Sequence, residues 1–225
     1  MAEFRVISIG TLSHNPLWGE RGDVRAAHAT TTLIDAGDAK ILVDPSLPEQ
    51  VLVPRLAERS GLKPDAITHV FLTNFHPMRR RGLAAFDEAQ WLVGELEREA
   101  IGAQLVEKFR EAEGAGDADL AVTIRSEIAA LQRCKAAPDK IAPGVDLVPL
   151  PGVTPGSCGL LVPQPSVTVL VAGDAVATFE HLASGKVISP VFNLEQAQDS
   201  FAEAVEIADL IVCGRDNAVL NPMRR

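Results

Sequence analysis

The strongest constraint on this chain is that its β-forming segments fall into two groups, one on each side of a long stretch of helical periodicity. The first group is Phe4–Gly10, Thr30–Asp35, Lys40–Asp44 and Ile67–Thr73. The second and third of these are β-branched runs around Ala36-Gly37-Asp38, the pattern of a hairpin. Ile67–Thr73 is a nearly unbroken apolar run and predicts a buried strand. The second group is Val145–Leu150, Gly159–Val162, Val167–Ala172 and Leu210–Cys213. Sheets built from such runs must be covered, and helices are predicted at Glu49–Arg59, with Gly61 as its stop, and at Leu194–Ala208.

Between the two groups, Trp91–Glu113 carries Leu92, Leu96, Ala100, Leu105 and Phe109 at mixed helical steps, and Gly114-Ala115-Gly116 interrupts it. Leu120, Ile124, Ile128 and Leu131 then form one apolar stripe of a second helix. The two helices are expected to pair as a hairpin, leaving apolar surface for the rim of a pocket or for a homodimer contact. The chain of 225 residues suits one domain over 1–225 of α/β (α+β) class, with a helical insert over about 91–140. No long linker, repeat or low-complexity tract divides it.

Charge narrows the partners. Lys plus Arg is 21 against 30 for Asp plus Glu, a net −9, so nucleic acid and anionic membrane are disfavoured. Tyr is absent and aromatics are 4%, which leaves little to stack on single-stranded bases. No apolar run reaches the about 18 residues of a membrane span, and Met1–Gly10 lacks the pattern of a secretion signal. Cys134, Cys158 and Cys213 have no metal-binding spacing and fit reduced thiols, so a cytoplasmic location is expected.

Five segments then stand in a recognisable order: Ile41-Leu42-Val43-Asp44-Pro45; Phe71-Leu72-Thr73-Asn74-Phe75-His76-Pro77-Met78-Arg79-Arg80-Arg81-Gly82; Pro151-Gly152-Val153-Thr154-Pro155-Gly156-Ser157; Val171-Ala172-Gly173-Asp174-Ala175-Val176; and Ile211-Val212-Cys213-Gly214-Arg215. In this order they resemble the landmarks of the metallo-β-lactamase fold superfamily, which implies a four-layer αββα sandwich. The second segment sits where the family has T-H-x-H-x-D-H-x-G-G, the third where it has P-G-H-T-P-G-S.

The resemblance also implies a site of seven ligand positions for two zinc or iron ions, and here the chain departs from the pattern. Asn74 stands for the first His, His76 for the second, Met78 for the Asp, Arg79 for the third His, Val153 for the fourth and Arg215 for the last. Asp174 matches the bridging Asp, so His76 and Asp174 are the two ligands of seven that remain. Zinc takes about three protein ligands even in an open site. Valine has no donor, methionine only a soft thioether, and the guanidinium no lone pair to give. No metal cofactor is therefore expected, and no catalytic residue is assigned.

Asp174 is expected to pair with Arg79 and Arg215, because a carboxylate in a pocket needs positive charge or donors. His76 reads either as a surviving ligand or as a histidine satisfied within its loop, the latter preferred. Asp44 reads as a structural carboxylate on loop amides. Arg80 and Arg81 read equally as an anion-binding patch with Arg79 and as a solvated loop. Ser157 lacks a nucleophile elbow, the cysteines read as buried, and His14, His69 and His181 have no motif around them.

The first functional reading is a non-hydrolytic pseudoenzyme or small-anion-binding protein, since Arg grips carboxylate and phosphate with paired donors. An alternative is a hydrolase of lactones, thioesters or phosphoesters with a single zinc or iron ion on His76, Asp174 and a recruited His28 or His14. A further alternative is a structural or assembly protein.

Overall fold

The computed structural model describes residues 2–224. Residues 3–43 form an antiparallel meander: β1 (Glu3–Ser8), β2 (Thr31–Ala36) and β3 (Ala39–Val43). The hairpin forms where its sequence predicts, with Thr32 opposite Val43, Ala36 opposite Ala39, and Gly37 at φ 75° turning the chain. Helix α1 (Glu49–Ser60) ends at Gly61 in the left-handed conformation, and its Leu52 and Leu56 are buried. β4 (His69–Leu72) then joins β3 in parallel.

The predicted insert needs its ends corrected. Trp91-Leu92-Val93 belongs to β5 (Gln90–Val93), which lies parallel to β4 inside the sheet. The helices α2 (Glu95–Ala115) and α3 (Ala118–Arg133) run from there to β6 (Lys135–Ala136), which pairs in parallel with β5. A short apolar run buried on both faces has no period to distinguish it from a helix start. Trp91 and Val93 face the helical layer, whereas Leu92 faces the core between the sheets. The hairpin of helices is otherwise as predicted: Gly116 caps α2 at φ 72° and the Asp117 side chain caps α3.

The second sheet is β7 (Lys140–Ala142), β8 (Val145–Pro149), β9 (Cys158–Pro163), β10 (Thr168–Gly173), β11 (Leu210–Cys213) and β12 (Ala218–Leu220), with order β12-β11-β10-β9-β8-β7. Helices α4 (Phe179–Ser184) and α5 (Leu194–Ile207) separate β10 from its parallel neighbour β11.

Ile34, Ile41, Val43 and Phe71 of the first sheet meet Val145, Leu160, Val169 and Val171 of the second in the middle core. α1 and the α2–α3 hairpin cover the outer face of the first sheet, and α4 and α5 that of the second. This is the four-layer αββα sandwich that the motif order implies. β3 and β4, and likewise β10 and β11, are parallel neighbours, and the loops that leave these four strands carry Asp44, Asn74–Arg81, Asp174 and Arg215.

Candidate functional site

Two aspartates and two arginines meet where those loops converge. Asp44 follows β3 with φ 49°, a left-handed conformation that aspartate tolerates better than most residues. Its Oδ1 accepts from the Thr73 amide at 2.9 Å and its Oδ2 from the Thr73 hydroxyl at 2.8 Å and from Nη1 of Arg79. Arg79 lies in the 3-10 turn Pro77–Arg80 and is fully buried. Its Nη2 is 2.5 Å from Oδ1 of Asp174. That approach is an ion pair by distance but not by angle, and neither Nη2 nor Nε makes a hydrogen bond of good geometry. Arg215, leaving β11, grips Asp174 with both arms: Nε to Oδ1 and Nη2 to Oδ2, each 2.8 Å. Its Nη1 rests on Sδ of Met78 at 2.6 Å.

The chain is shaped for this contact. A Cβ on Gly214 would come within 2.4 Å of the Gly173 carbonyl oxygen and 2.8 Å of Oδ1 of Asp174. Only glycine lets the two loops approach so closely. The Gly214 and Arg215 amides donate to the carbonyls of Val176 and Ala177, which holds the arginine in register with the turn after Asp174.

Formally the cluster is neutral, two carboxylates against two guanidiniums. Burial disfavours the charge on Asp174, but Arg215 and Arg79 outweigh it and hold the carboxyl far below the ordinary range. Burial pushes Asp44 up, against the pull of Arg79 and Thr73. Arg79 stays protonated, with Asp174 and Asp44 overcoming its desolvation.

The expected site residues divide. Met78, Arg79, Asp174 and Arg215 are in mutual contact, joined by Asp44, whose pairing with Arg79 the sequence did not reveal. His76 stands beside them with its pKa lowered, first by burial and next by the charge of Arg215. Its Nδ1 accepts from the Met78 amide at 3.2 Å. Asn74 is buried and its Oδ1 caps the His76 amide at 3.1 Å. Val153 is half-buried in the turn after β8, where its carbonyl accepts from Phe192. Arg79, Arg80 and Arg81 do not form a joint patch: Arg80 pairs with Glu127 of α3 and stacks 4.1 Å from the Phe75 ring, and Arg81 reaches the Ala27 carbonyl. Ser157 donates to the Leu150 carbonyl, and all three thiols are buried and free, with burial pushing Cys158 up to about 12.

Beside the cluster lies a cavity of about 330 Å³, bounded by the 12–17 loop, the end of α4 and the 186–190 loop. Its lining includes Arg215 and Met78 of the cluster, the polar His14, His181 and Lys186, and the apolar Leu12, Leu17 and Ile188. No motif in the sequence marks His181. The one signal is Thr178, three residues ahead of it, in the spacing of a helix N-cap.

The fold and these landmarks together define a class. Residues 24–210 match the family model of the metallo-beta-lactamase superfamily, and the chain belongs to that superfamily. No curated protein matches it significantly by sequence. Among solved structures it is similar to a Thermotoga maritima protein ascribed to the metallo-beta-lactamases, at 18% identity and a TM-score of 0.68, covering 97% of this chain and 99% of that one. It is also similar to a quorum-quenching N-acyl homoserine lactone hydrolase, at 20% identity and 0.67, covering 96% and 91%. A third is AidC, a dizinc quorum-quenching lactonase, at 16% identity and 0.61, covering 79% and 67%. At these identities the likeness is one of fold.

The residues that the motif order assigns to the family's metal position do not fit a dinuclear metal centre. Among the described residues no three His, Cys, Asp or Glu side chains converge as ligands. Both oxygens of Asp174 are occupied by guanidinium groups. Of the histidines considered as recruits, His28 has its Nε2 3.0 Å from the Ile9 carbonyl, and His14 lines the cavity with its Nδ1 3.2 Å from Asp23.

Proposed function

We propose that this chain is a non-hydrolytic member of the superfamily, in which a neutral aspartate–arginine cluster stands where relatives hold metal and the cavity beside it takes small anions. The observation that carries this reading is the two-armed grip of Arg215 on Asp174 together with the second cation, Arg79, at the same carboxylate. Oδ1 of Asp174 lies against two guanidinium groups, and a dication entering would meet two fixed positive charges. Lys186 and Arg215 give the adjoining cavity its positive side. The three free, buried thiols support a reducing, cytoplasmic setting.

Elemental analysis of the untagged protein tests the metal side of the proposal, and thermal melts test the anion side. Expected are no stoichiometric zinc, iron or manganese, no shift with chelator, and a raised melting temperature in phosphate or sulfate. One tightly bound transition metal per chain, lost together with an esterase or lactonase activity, would overturn the proposal. That outcome would favour the single-metal hydrolase with His76 and Asp174 as ligands, a reading that draws support from the lactonases among the structural neighbours.

A further inference from the structure

The cavity holds one buried polar side chain whose hydrogen-bonding state follows from its neighbours. His181, in α4, is 5% exposed, and its Nδ1 lies 2.9 Å from the Thr178 hydroxyl. That hydroxyl has a single proton and directs it to Oε2 of Glu180 at 2.7 Å. The hydroxyl oxygen is then the acceptor for His181, so Nδ1 carries the ring proton and Nε2 bears a lone pair. Although partial burial opposes it, the Thr178 hydrogen bond holds the Glu180 carboxyl below its ordinary value, which keeps it an acceptor. Burial lowers the His181 pKa and keeps the ring neutral. Nε2 has no partner among the described residues and is not sealed from solvent, while the ring lines the cavity.

The opposite needs are met nearby. Arg215 uses three N–H groups on Asp174 and Met78, leaving two of its five uncommitted. Lys186 adds a flexible cation, and Leu12, Leu17 and Ile188 supply apolar wall.

We propose that the cavity binds an apolar carboxylate that bears a hydroxyl group: the carboxylate on Arg215 and Lys186, the hydroxyl donating to Nε2 of His181, and the hydrocarbon part against Leu12, Leu17 and Ile188. This rests on the anion-binding reading and narrows its ligand class. A simple carboxylate has no proton to give and leaves the His181 lone pair unpaired, so the cavity discriminates by the hydroxyl. Thr178 and Glu180 act as positioning residues, holding the ring in the accepting tautomer.

Calorimetric titration at pH 8 with 2-hydroxy-4-methylpentanoate and with 4-methylpentanoate tests this. The wild type is expected to prefer the hydroxy acid by about tenfold. His181→Phe should abolish that preference by weakening the hydroxy acid while leaving the plain acid within about twofold. Thr178→Val should reduce the preference without altering the cavity wall, and Lys186→Gln should weaken both acids alike. The ¹⁵N shifts of the His181 ring should report a proton on Nδ1. Equal affinities in the wild type, or a preference that survives His181→Phe, would overturn the hydroxyl assignment while anion binding stands. If neither acid binds and phosphate leaves the melting temperature unchanged, the anion-binding reading falls as well. Should His181→Phe fail to fold, the wild-type ratio and the ring ¹⁵N shifts decide the matter.

Discussion

Asp174 is the residue on which the site turns, because two buried arginines depend on it for charge. Asp174→Ala leaves both cations without their shared partner, and urea unfolding should show a loss of about 3 kcal/mol. Phosphate or sulfate should recover part of that loss by occupying the emptied place. The pH dependence has a definite sign. A carboxyl held below its ordinary value of 3.8 contributes stability that is present above that value and is lost as the pH falls. Asp44, raised by burial, runs the opposite way, so acidification relieves it. The stability difference between wild type and Asp174→Asn should therefore narrow between pH 7 and pH 3, measured by denaturant titration at each pH. A gap of constant width would show that Asp174 is not held as an ion in the folded state.

At the scale of elements, the loops of the site are tied to the helical hairpin. Glu97, in the first turn of α2, is fully buried and accepts from the amides of Phe75 at 2.9 Å and Gly156 at 3.1 Å. It joins the loop of His76 to the turn after β8, and Gly156 permits the approach, since a Cβ there would lie 2.0 Å from the Glu97 amide. Glu97→Ala strands two buried N–H donors and should cost on the order of 2 kcal/mol, with faster hydrogen exchange at Phe75 and Gly156. The stripe on α3 is divided: Ile124 and Leu131 are buried, Ile128 is half-buried, and Leu120 is exposed. Ile124 packs against α2 within the chain, so Ile124→Glu tests folding and not a dimer contact. Ile124→Ala should lose about 2–3 kcal/mol through the cavity it leaves. A homodimer through the hairpin would have to use the apolar residues still exposed on it, Leu96, Val106, Leu120 and Val122. Val122→Glu is then the variant that should change the sedimentation coefficient while leaving the melting temperature in place.

For the whole molecule, the four layers are held by three cores, and the loops of the site lie at strand ends outside the central one. The two sheets are thus joined by apolar contact across the central core. A melting temperature that is the same in chelator as in buffer is expected, with a rise in phosphate at concentrations well above its dissociation constant. At ten times that constant the gain is about 1.4 kcal/mol. No helix among the described residues is long and apolar enough to cross a membrane.

Local pattern was enough for much of this. The hairpin around Gly37, the helix stops at Gly61 and Gly116, and the stripe on α3 follow from backbone preference and apolar spacing, which act between residues close in the chain. The order of the five motifs was legible for the same reason, and with it the sandwich and the pairing of Asp174 with Arg79 and Arg215. Tertiary structure alone decided that Trp91–Val93 is a strand, because burial on both faces erases the period that separates strand from helix. It alone joined Asp44 to Arg79, set Glu97 between two loops, and turned His181 toward the cavity. Each of these contacts links residues from different elements, and its strength comes from desolvation that exists only after the layers have packed.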